Sequence, residues 1–312
     1  MSEQHRMSSV DVLIIGAGHA GAQTAIALRR EAFEGSILMV GGEPDLPYER
    51  PPLSKDYLTG QRSFEQMHIR PREFYELRDI GLRLGTTATA VDPDRRRVIV
   101  SDGTSIEYGV LVWATGGAPR ALDTPGRDLQ GVHTIRTRAD IDRLRSVLPR
   151  VRDVVVIGGG FIGLEAAAAL RQIDKRVTIV EVEDQVLARV AAEPLARFFE
   201  AEHRSRGVSI RLNARIECFE HMSDRLSAVR LRGSERLAAD AVVVGIGIIP
   251  ATQALVRAGA AASNGIDVDE YCRTSLPCTF AVGDVAHHQS QYAAGRWVRL
   301  ESVQNAADQA AT

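Results

Sequence analysis

The distribution of apolar residues along the chain predicts alternating strands and helices. Residues 11–15 form a mostly apolar run rich in β-branched residues, residues 20–30 have the pattern of a helix, and residues 37–40 form a second apolar run. Short continuous apolar runs are typical of strands that are buried on both faces of a parallel sheet. These three elements therefore predict one strand–helix–strand unit.

The same order of elements recurs once, farther along the chain. An apolar run at 154–157 precedes a helical pattern at 162–170, and another apolar run follows at 177–180. Each unit has the arrangement of half of a nucleotide-binding sheet. We therefore predict an α/β fold with two Rossmann-like dinucleotide-binding domains.

The stretch between the two units has a different pattern. Apolar and polar residues alternate there, with turn signals at Asp92-Pro93 and Asp102-Gly103, which predicts a small antiparallel sheet. Residues 110–114 are continuously apolar again, so we expect this run to rejoin the first parallel sheet. The simplest domain organisation that fits this order is a second domain inserted into the first. We predict a first domain made of residues 1–118 and 247–312, and a second domain made of residues 119–246.

Composition and charge narrow the class of protein. The chain has 312 residues, of which 45% are hydrophobic and 25% charged, as is ordinary for a soluble globular protein. Its net charge of −2 gives no electrostatic reason to expect a nucleic acid or an anionic membrane as partner. The longest uncharged apolar run, 241–251, is far shorter than the roughly 20 residues that span a bilayer. The N-terminal stretch is polar and lacks a secretory apolar region, so we expect a cytoplasmic protein.

The cysteines and lysines are few. Cys218, Cys272 and Cys278 include no CxxC pair, and no His/Cys cluster has the spacing of a zinc site. We therefore expect free thiols in a reducing compartment and no metal site. Only Lys55 and Lys175 among the 38 basic residues are lysines, which makes Lys55 a rare residue type in this chain.

The first glycine-rich loop, "GAGHAG", lies between the first strand and the first helix. Gly16 permits the tight turn, Gly18 lets the backbone approach a pyrophosphate, and Gly21 lets the helix pack close to the strand. The helix N-terminus supplies amide groups and positive potential for the phosphates. After the next strand, Glu43 is a candidate acceptor for the ribose hydroxyls. The alternative is an ordinary strand–turn–helix connection.

The second loop, "GGGFIGLE", repeats this arrangement with Gly158, Gly160 and Gly163. The strand that follows it ends at Glu181, where a carboxylate would bind the adenosine ribose 2′-hydroxyl and repel a 2′-phosphate. No arginine follows immediately to hold such a phosphate, so we predict NADH rather than NADPH. The alternative for Glu181 is a solvated acid at a strand end. Two dinucleotide sites in one chain suggest FAD in one and a nicotinamide in the other, with a hydride passing between them.

Four segments in this order make the chain recognisable: "LPYERPPLSKDYL", "WATGGAPR", "GGGFIGLE" and "FAVGDVA". Together they resemble the FAD- and NADH-dependent ferredoxin reductases of oxygenase systems, from Asp11 to Thr312. The glycine loops alone indicate only the broader group of glutathione-reductase-like flavoproteins, whereas "PYERPPLSK" is much more specific. The resemblance implies FAD in the first domain, NADH in the inserted domain, and a [2Fe–2S] ferredoxin that supplies an oxygenase as partner.

The resemblance also assigns residues to each cofactor. It implies that FAD is bound by Gly16, Gly18, His19, Ala20, Gly21, Glu43, Arg50, Lys55, Ala114, Thr115, Gly116, Arg136, Gly283, Asp284 and Val303. It implies that NAD is bound by Gly158, Gly160, Phe161, Ile162, Gly163, Glu165, Glu181, Arg189 and Gly247. Lys55 and Glu165 are the candidate catalytic residues, because the family glutamate faces the family lysine near the nicotinamide and flavin. On spacing alone, Glu165 would be a helix glutamate that faces water.

The sequence departs from the family pattern at two places. Some relatives have an acid where this chain has Gly42, so Glu43 must serve one position later. Relatives also continue into a third domain that contributes to the surface for the iron–sulfur partner, whereas this sequence stops inside a predicted helix at "NAADQAAT". Either the sequence is truncated or the protein lacks this domain, and in both cases we expect the fold of the given residues without a C-terminal interface domain.

Two other functions share the predicted fold. Disulfide reductases, NADH oxidases and peroxidases need a redox cysteine against the flavin, and the stretch 44–58 contains none. A flavoprotein similar to apoptosis-inducing factor would instead form a long-lived reduced complex. A rubredoxin as the electron acceptor is a variant of the leading hypothesis.

Overall fold

The structure is a computed structural model that describes residues 9–312. The described chain divides into two compact units. The first unit contains residues 9–49, 68–118 and 250–312, and the second contains residues 50–67 and 119–249. The chain therefore passes between the units four times, and each unit is described by itself.

Strands and helices alternate through most of the chain. The strands are β1 Ser9–Ile15, β2 Ile37–Val40, β3 Ile80–Arg83, β4 Ala88–Asp92, β5 Arg97–Val100, β6 Ser105–Trp113, β7 Gly117–Pro119, β8 Val132–Thr134, β9 Asp153–Ile157, β10 Arg176–Val180, β11 Ser209–Arg211, β12 Ile216–Met222, β13 Arg225–Leu231, β14 Arg236–Ala238, β15 Ala241–Val244, β16 Ile248–Pro250, β17 Ile266–Val268, β18 Thr279–Ala281, β19 Ala286–Ser290 and β20 Arg296–Val298. The α-helices are α1 His19–Arg30, α2 Asp56–Thr59, α3 Arg72–Glu76, α4 Arg138–Val147, α5 Phe161–Gln172, α6 Glu193–Ser205, α7 Gln253–Arg257 and α8 Val303–Ala311.

The first unit is built around one mixed sheet with the strand order β3-β2-β1-β6-β5-β4, and β18 pairs with β6 as well. Strand β1 lies parallel to β2 and β6, so Ile15 is opposite both Val40 and Trp113. Strand β6 returns to this parallel sheet, and β4, β5 and β6 form antiparallel pairs, which confirms both sequence expectations for this stretch. Leu13 belongs to one hydrophobic cluster and Ile14 to another, because successive side chains of a strand point to opposite faces.

The second unit contains a five-stranded parallel sheet with the order β11-β10-β9-β15-β8. From β9 the chain runs outward through β10 to β11 and then crosses back to β15 on the other side of β9, so the strand order reverses between the carboxyl ends of β9 and β15. Ligands of doubly wound sheets bind at such a point. A three-stranded antiparallel sheet, β12-β13-β14, contributes Phe219 and Val229 to the same hydrophobic cluster as Val155 and Val242 of the parallel sheet.

The segment 50–67 contains a 3₁₀ turn at Pro51–Ser54, helix α2 and a second 3₁₀ turn at Glu65–Met67. It packs with the second unit, although the predicted boundary assigned it to the first domain. The Tyr57 hydroxyl donates to Asp142 of α4 at 2.5 Å, and the Arg138 guanidinium lies 4.1 Å from the centre of the Phe64 ring. The later predicted boundary, after residue 246, also differs from the observed change of unit after residue 249.

Membrane-spanning helices and metal-binding clusters are both absent from the described part of the chain. No helix among residues 9–312 is long and apolar enough to cross a membrane. Within the same residues, no group of three or more His, Cys, Asp or Glu side chains is arranged to hold a metal ion.

Candidate functional site

The first glycine loop forms the turn between β1 and α1. Gly16 has a φ of 118°, which favours glycine, and a Cβ there would collide with the carbonyl of Ala114. A Cβ at Gly21 would collide with the carbonyl of Gly16, so this glycine allows α1 to approach the turn. A Cβ at Gly18, by contrast, would meet no protein atom within 4 Å. The loop is therefore tightly packed on one side and open at Gly18.

Helix α1 begins at this opening without a capping side chain. Gly18 is its N-cap residue and makes no side-chain cap hydrogen bond, and the first turn contains no acidic residue. The first amide groups of a helix need acceptors, and an anion such as a phosphate group supplies them. Helix α5 begins in the same way at Gly160, where a Cβ would also meet no atom within 4 Å. Both helix N-termini therefore fit the phosphate groups of a dinucleotide.

His19 follows the opening of the first loop. Its Nδ1 atom is buried and has no hydrogen-bond partner among residues 9–312. Burial lowers the pKa of His19, while the charges of Glu49 and Asp284 oppose this shift. The ring is therefore biased toward its neutral form, with one nitrogen left for a ligand.

Three predicted residues of the first unit follow β6, in the turn beside this loop. Ala114 donates its N–H to the Ile15 carbonyl at 2.7 Å, and the Thr115 hydroxyl donates to the Ala251 carbonyl at 2.9 Å. Gly116 follows with a φ of 60°. The structure thus places Ala114 and Thr115 directly beside Gly16 of the first loop, and Gly116 is the next residue of the chain.

A second turn approaches α1 from residues 283–285. A Cβ at Gly283 would lie 2.8 Å from the Cβ of Ala20, so the turn contacts the first turn of the helix. The N–H of Gly283 donates to Gln309 at 2.8 Å, and the carbonyl of Asp284 accepts from Arg299 at 3.0 Å. Gln309 and Arg299 hold the turn that carries Asp284, and neither was predicted from the sequence.

Two other residues predicted for the first unit, Glu43 and Val303, lie outside these turns. Glu43 follows β2 and accepts a hydrogen bond from the Tyr48 hydroxyl at 2.6 Å. Val303 is the first residue of α8, and its side chain is partly exposed.

The second loop is the turn between β9 and α5. Gly158 has a φ of 104°, and a Cβ at Gly163 would collide with the carbonyl of Gly158. Phe161 and Ile162, in the first turn of α5, are exposed large apolar side chains. The geometry repeats that of the first loop.

Glu181 lies directly beside the second loop. One carboxylate oxygen accepts the N–H of Gly159 at 2.5 Å, and the other accepts the N–H of Glu183 at 3.0 Å. The Arg189 guanidinium lies 3.6 Å from the position of a Cβ on Gly247, which has a φ of 95°. The predicted nucleotide residues of the second unit therefore meet at the carboxyl edge of its sheet.

Lys55 and Glu165 form an ion pair within the second unit. The Lys55 Nζ atom lies 2.7 Å from Oε2 of Glu165, and the lysine also donates to the Pro51 carbonyl at 3.2 Å. The Ser54 hydroxyl donates to the same Oε2 atom at 2.6 Å. Glu165 is therefore a paired acid rather than a helix glutamate in open water. Ser54 was not among the residues predicted from the sequence. Its position next to Lys55 was the one signal that could have identified it.

Arg50 and Arg136 are joined in the second unit as well, because the Arg50 guanidinium donates to the Arg136 carbonyl. The N–H of Arg136 donates to Asp140 at 3.1 Å, close to the start of α4. The structure therefore groups Arg50, Lys55 and Arg136 with the second unit, and the other residues predicted for FAD lie in the first unit.

The three cysteines are free thiols. Cys272 is buried, and burial, with a smaller contribution from Asp269, raises its pKa to about 11. Cys218 lies on β12, and Cys278 lies just before β18. The segment 50–67, where Lys55 lies, contains no cysteine.

Comparisons with known proteins agree with this geometry. Residues 10–310 match the model of the pyridine nucleotide-disulphide oxidoreductase family. The chain is 55% identical to a ferredoxin–NAD(P)(+) reductase of Sphingomonas sp., over 96% of this chain and 73% of the relative. It is 50% identical to the 5,5'-dehydrodivanillate O-demethylase ferredoxin reductase subunit of Sphingobium sp., over 98% of this chain and 74% of the relative.

A solved structure is similar over nearly the whole chain. It is the covalent complex of putidaredoxin reductase with putidaredoxin, at 40% sequence identity and a TM-score of 0.93, with coverage of 97% of this chain and 73% of that chain. These matches confirm the fold and the resemblance to ferredoxin reductases that the four sequence segments indicated. The chain belongs to the pyridine nucleotide-disulphide oxidoreductase family, in its branch of ferredoxin reductases.

Proposed function

We propose that the chain transfers electrons from NADH through FAD to a [2Fe–2S] ferredoxin that supplies an oxygenase. The observation that carries this proposal is the identity of 55% and 50%, over nearly the whole chain, to two reductases whose names specify a ferredoxin. One of these relatives is the ferredoxin reductase subunit of an O-demethylase, and a structural neighbour is joined covalently to putidaredoxin. The family name and the relatives' names imply a flavin and a pyridine nucleotide, and FAD and NADH are our specific assignments.

The first unit would hold FAD. The open turn at Gly18 and the uncapped N-terminus of α1 fit its pyrophosphate, and His19 offers a buried nitrogen beside them. Glu43 would accept from the ribose, and Asp284 would bind the ribitol.

The second unit would hold NADH. The uncapped N-terminus of α5 fits the pyrophosphate, and Glu181, fixed by two backbone N–H groups, is suited to accept from the adenosine ribose. A 2′-phosphate at the same place would meet this carboxylate at close range. The arrangement therefore favours NADH over NADPH.

A bound flavin accepts a hydride from a reduced nicotinamide and can pass the two electrons on one at a time. Hydride transfer needs no protein acid or base, so Lys55 and Glu165 would act by position and charge. Glu165 would hold the nicotinamide carboxamide, and the ion pair would keep the lysine ammonium beside this carboxylate.

Two other functions of this fold lack support in the chain. A disulfide reductase or a thiol-based peroxidase needs a reactive cysteine, yet the segment around Lys55 has none and the Cys272 thiol is buried with a raised pKa. A flavoprotein similar to apoptosis-inducing factor would show a stable charge-transfer band in air and slow reoxidation. A rubredoxin in place of the ferredoxin would leave the mechanism unchanged.

The test is NADH-dependent reduction of a [2Fe–2S] ferredoxin by the purified, FAD-loaded protein. We expect rapid reduction of the ferredoxin, with NADPH a poorer donor and disulfides and peroxides poor acceptors. Failure with every [2Fe–2S] ferredoxin offered, together with rapid reduction of a disulfide or a peroxide, would overturn the proposal.

A further inference from the structure

The carboxylate of Glu165 is held through one of its two oxygens. Oε2 accepts from the Ser54 hydroxyl at 2.6 Å and lies 2.7 Å from the Lys55 ammonium. Oε1 accepts no hydrogen bond from any group among residues 9–312. The carboxylate therefore presents one fixed oxygen and one available oxygen.

Ser54 is buried, with only 1% of its surface exposed, at the end of the 3₁₀ turn Pro51–Ser54. Its hydroxyl has a single proton and two possible acceptors: the Glu165 carboxylate at 2.6 Å and the Pro51 carbonyl at 3.4 Å. The shorter contact to an ionised group is the stronger hydrogen bond, so the proton points to Glu165.

Lys55 is less suited to fix the direction of this carboxylate. Its side chain is 43% exposed, and an ammonium on a four-carbon stem attracts an anion from many directions. Partly exposed ion pairs of this kind contribute little by themselves. The hydroxyl of Ser54, on a short buried side chain, restricts the rotation of the carboxylate.

We infer that Ser54 is a positioning residue that orients Glu165 so that Oε1 accepts the amide N–H of the nicotinamide carboxamide. This inference rests on the proposed function, since it requires a nicotinamide dinucleotide in the second unit. Ser54 then determines how well the protein distinguishes a dinucleotide with a carboxamide from one without. The rest of the dinucleotide, at Gly160 and Glu181, is bound independently of Ser54.

The experiment measures equilibrium binding to the oxidised, FAD-loaded protein by calorimetry, with NAD⁺ and with ADP-ribose, which lacks the nicotinamide. In Ser54→Ala we expect about tenfold weaker binding of NAD⁺, the size of effect usual for a lost hydrogen bond to a charged group. ADP-ribose binding should not change, and its retention shows that the variant is folded. Ser146→Ala is the matched control, because it removes a hydroxyl that donates to a helix carbonyl in the same unit.

The double variant Ser54→Ala/Glu165→Ala separates positioning from a local structural effect. If Ser54 acts through Glu165, its removal has no further effect on NAD⁺ binding once Glu165 is gone. Equal weakening of NAD⁺ and ADP-ribose, or additive losses in the double variant, would overturn the inference. So would unchanged NAD⁺ binding in Ser54→Ala alone. A wild-type flavin that NADH does not reduce would overturn the proposed function and this inference together.

Discussion

Three carboxylates near the nucleotide loops are held by different kinds of donor. Glu181 accepts from two backbone N–H groups, Glu43 accepts from the hydroxyl of Tyr48, and Glu165 accepts from a serine and a lysine. Backbone donors are rigid, so Glu181 has a fixed direction independent of side-chain rotamers. The direction of the Glu165 carboxylate depends on two side chains, so point substitutions can change it more readily than the direction of Glu181.

Glu165→Ala should slow the reduction of the bound flavin by NADH and leave FAD bound. Removal of the carboxylate takes away the proposed carboxamide acceptor and leaves Lys55 without its partner, so we expect kcat/KM for NADH to fall about tenfold or more. Stopped-flow measurement of flavin absorbance gives the rate, and the flavin-to-protein ratio gives the occupancy. Glu202→Ala, which removes a helix glutamate paired with Arg206, serves as the control. Loss of FAD from Glu165→Ala would contradict the assignment.

Glu181 should determine the choice between NADH and NADPH. We expect wild-type kcat/KM to be at least about tenfold higher for NADH, since in the proposed site the carboxylate would accept from the 2′-hydroxyl and would repel a 2′-phosphate. Glu181→Ala should reduce this ratio mainly by weakening NADH. Steady-state kinetics with both donors measures it, and equal values in the wild type would disprove the assignment.

Cys272 should resist alkylation in the folded protein. Its pKa of about 11 leaves on the order of one thiolate in a thousand at pH 8, and its side chain is buried. Because the folded pKa is above the ordinary value of 9.0, its contribution to stability is present below pH 9 and is lost as the pH rises toward 11. Peptide mass spectrometry after iodoacetamide treatment should find Cys272 unmodified at pH 8 and modified after unfolding. Rapid modification of native Cys272 at pH 8 would show that the thiol is accessible.

At the scale of elements, the two strand–turn–helix loops were predictable because the residues that specify each loop are neighbours in the sequence. The spacing of the glycines fixes where the backbone needs a positive φ and where a helix must approach it, as at Gly16 and Gly158. The membership of segment 50–67 in the second unit was not predictable. It depends on contacts such as that between Tyr57 and Asp142, which are 85 residues apart and leave no periodic pattern.

Two glycines of the second loop should respond differently to the same substitution. Gly160→Ala should fold normally, since its Cβ meets no protein atom within 4 Å and its φ of −77° suits any residue, but it should lose most of its affinity for NAD⁺. Gly163→Ala places its Cβ against the Gly158 carbonyl and should lower the free energy of unfolding by about 3 kcal/mol. Chemical denaturation and calorimetry measure the two effects. Equal stability of both variants would mean that helix α5 is free to shift away from the loop.

At the scale of the whole molecule, each unit contains one glycine loop of the same design. The sequence predicted both loops and the insertion of one domain into the other. The residues predicted for FAD nevertheless divide between the units, because Arg50, Lys55 and Arg136 group with the second. The assignment of one cofactor to each unit is therefore best tested on the whole chain.

Hydrogen exchange should distinguish the proposed FAD site from the proposed NAD⁺ site. FAD should protect amides at 16–21 and 283–285 of the first unit, and NAD⁺ should protect amides at 158–163 and 245–247 of the second, since ligands at these turns would occupy the open helix N-termini. NAD⁺ at about 100 times its Kd should also stabilise the protein by about 2.7 kcal/mol. Mass spectrometry of exchanged peptides makes the measurement, with Gly160→Ala as the control that should lose the NAD⁺ effect. Protection of the first loop by NAD⁺ would contradict the assignment.

The pairing of β18 with β6 has a consequence for synthesis on the ribosome. Residues 111–113 of β6 pair with residues 279–281, and the whole second unit is made before residue 279. At typical translation rates, the second unit is complete on the order of seconds before the first can be. During this interval the apolar edge at Leu111–Trp113 lacks its final neighbour, and such edges attract other chains. Asp284 is made after residue 281, so β18 can close this edge of the sheet before the whole of the proposed flavin site has been translated.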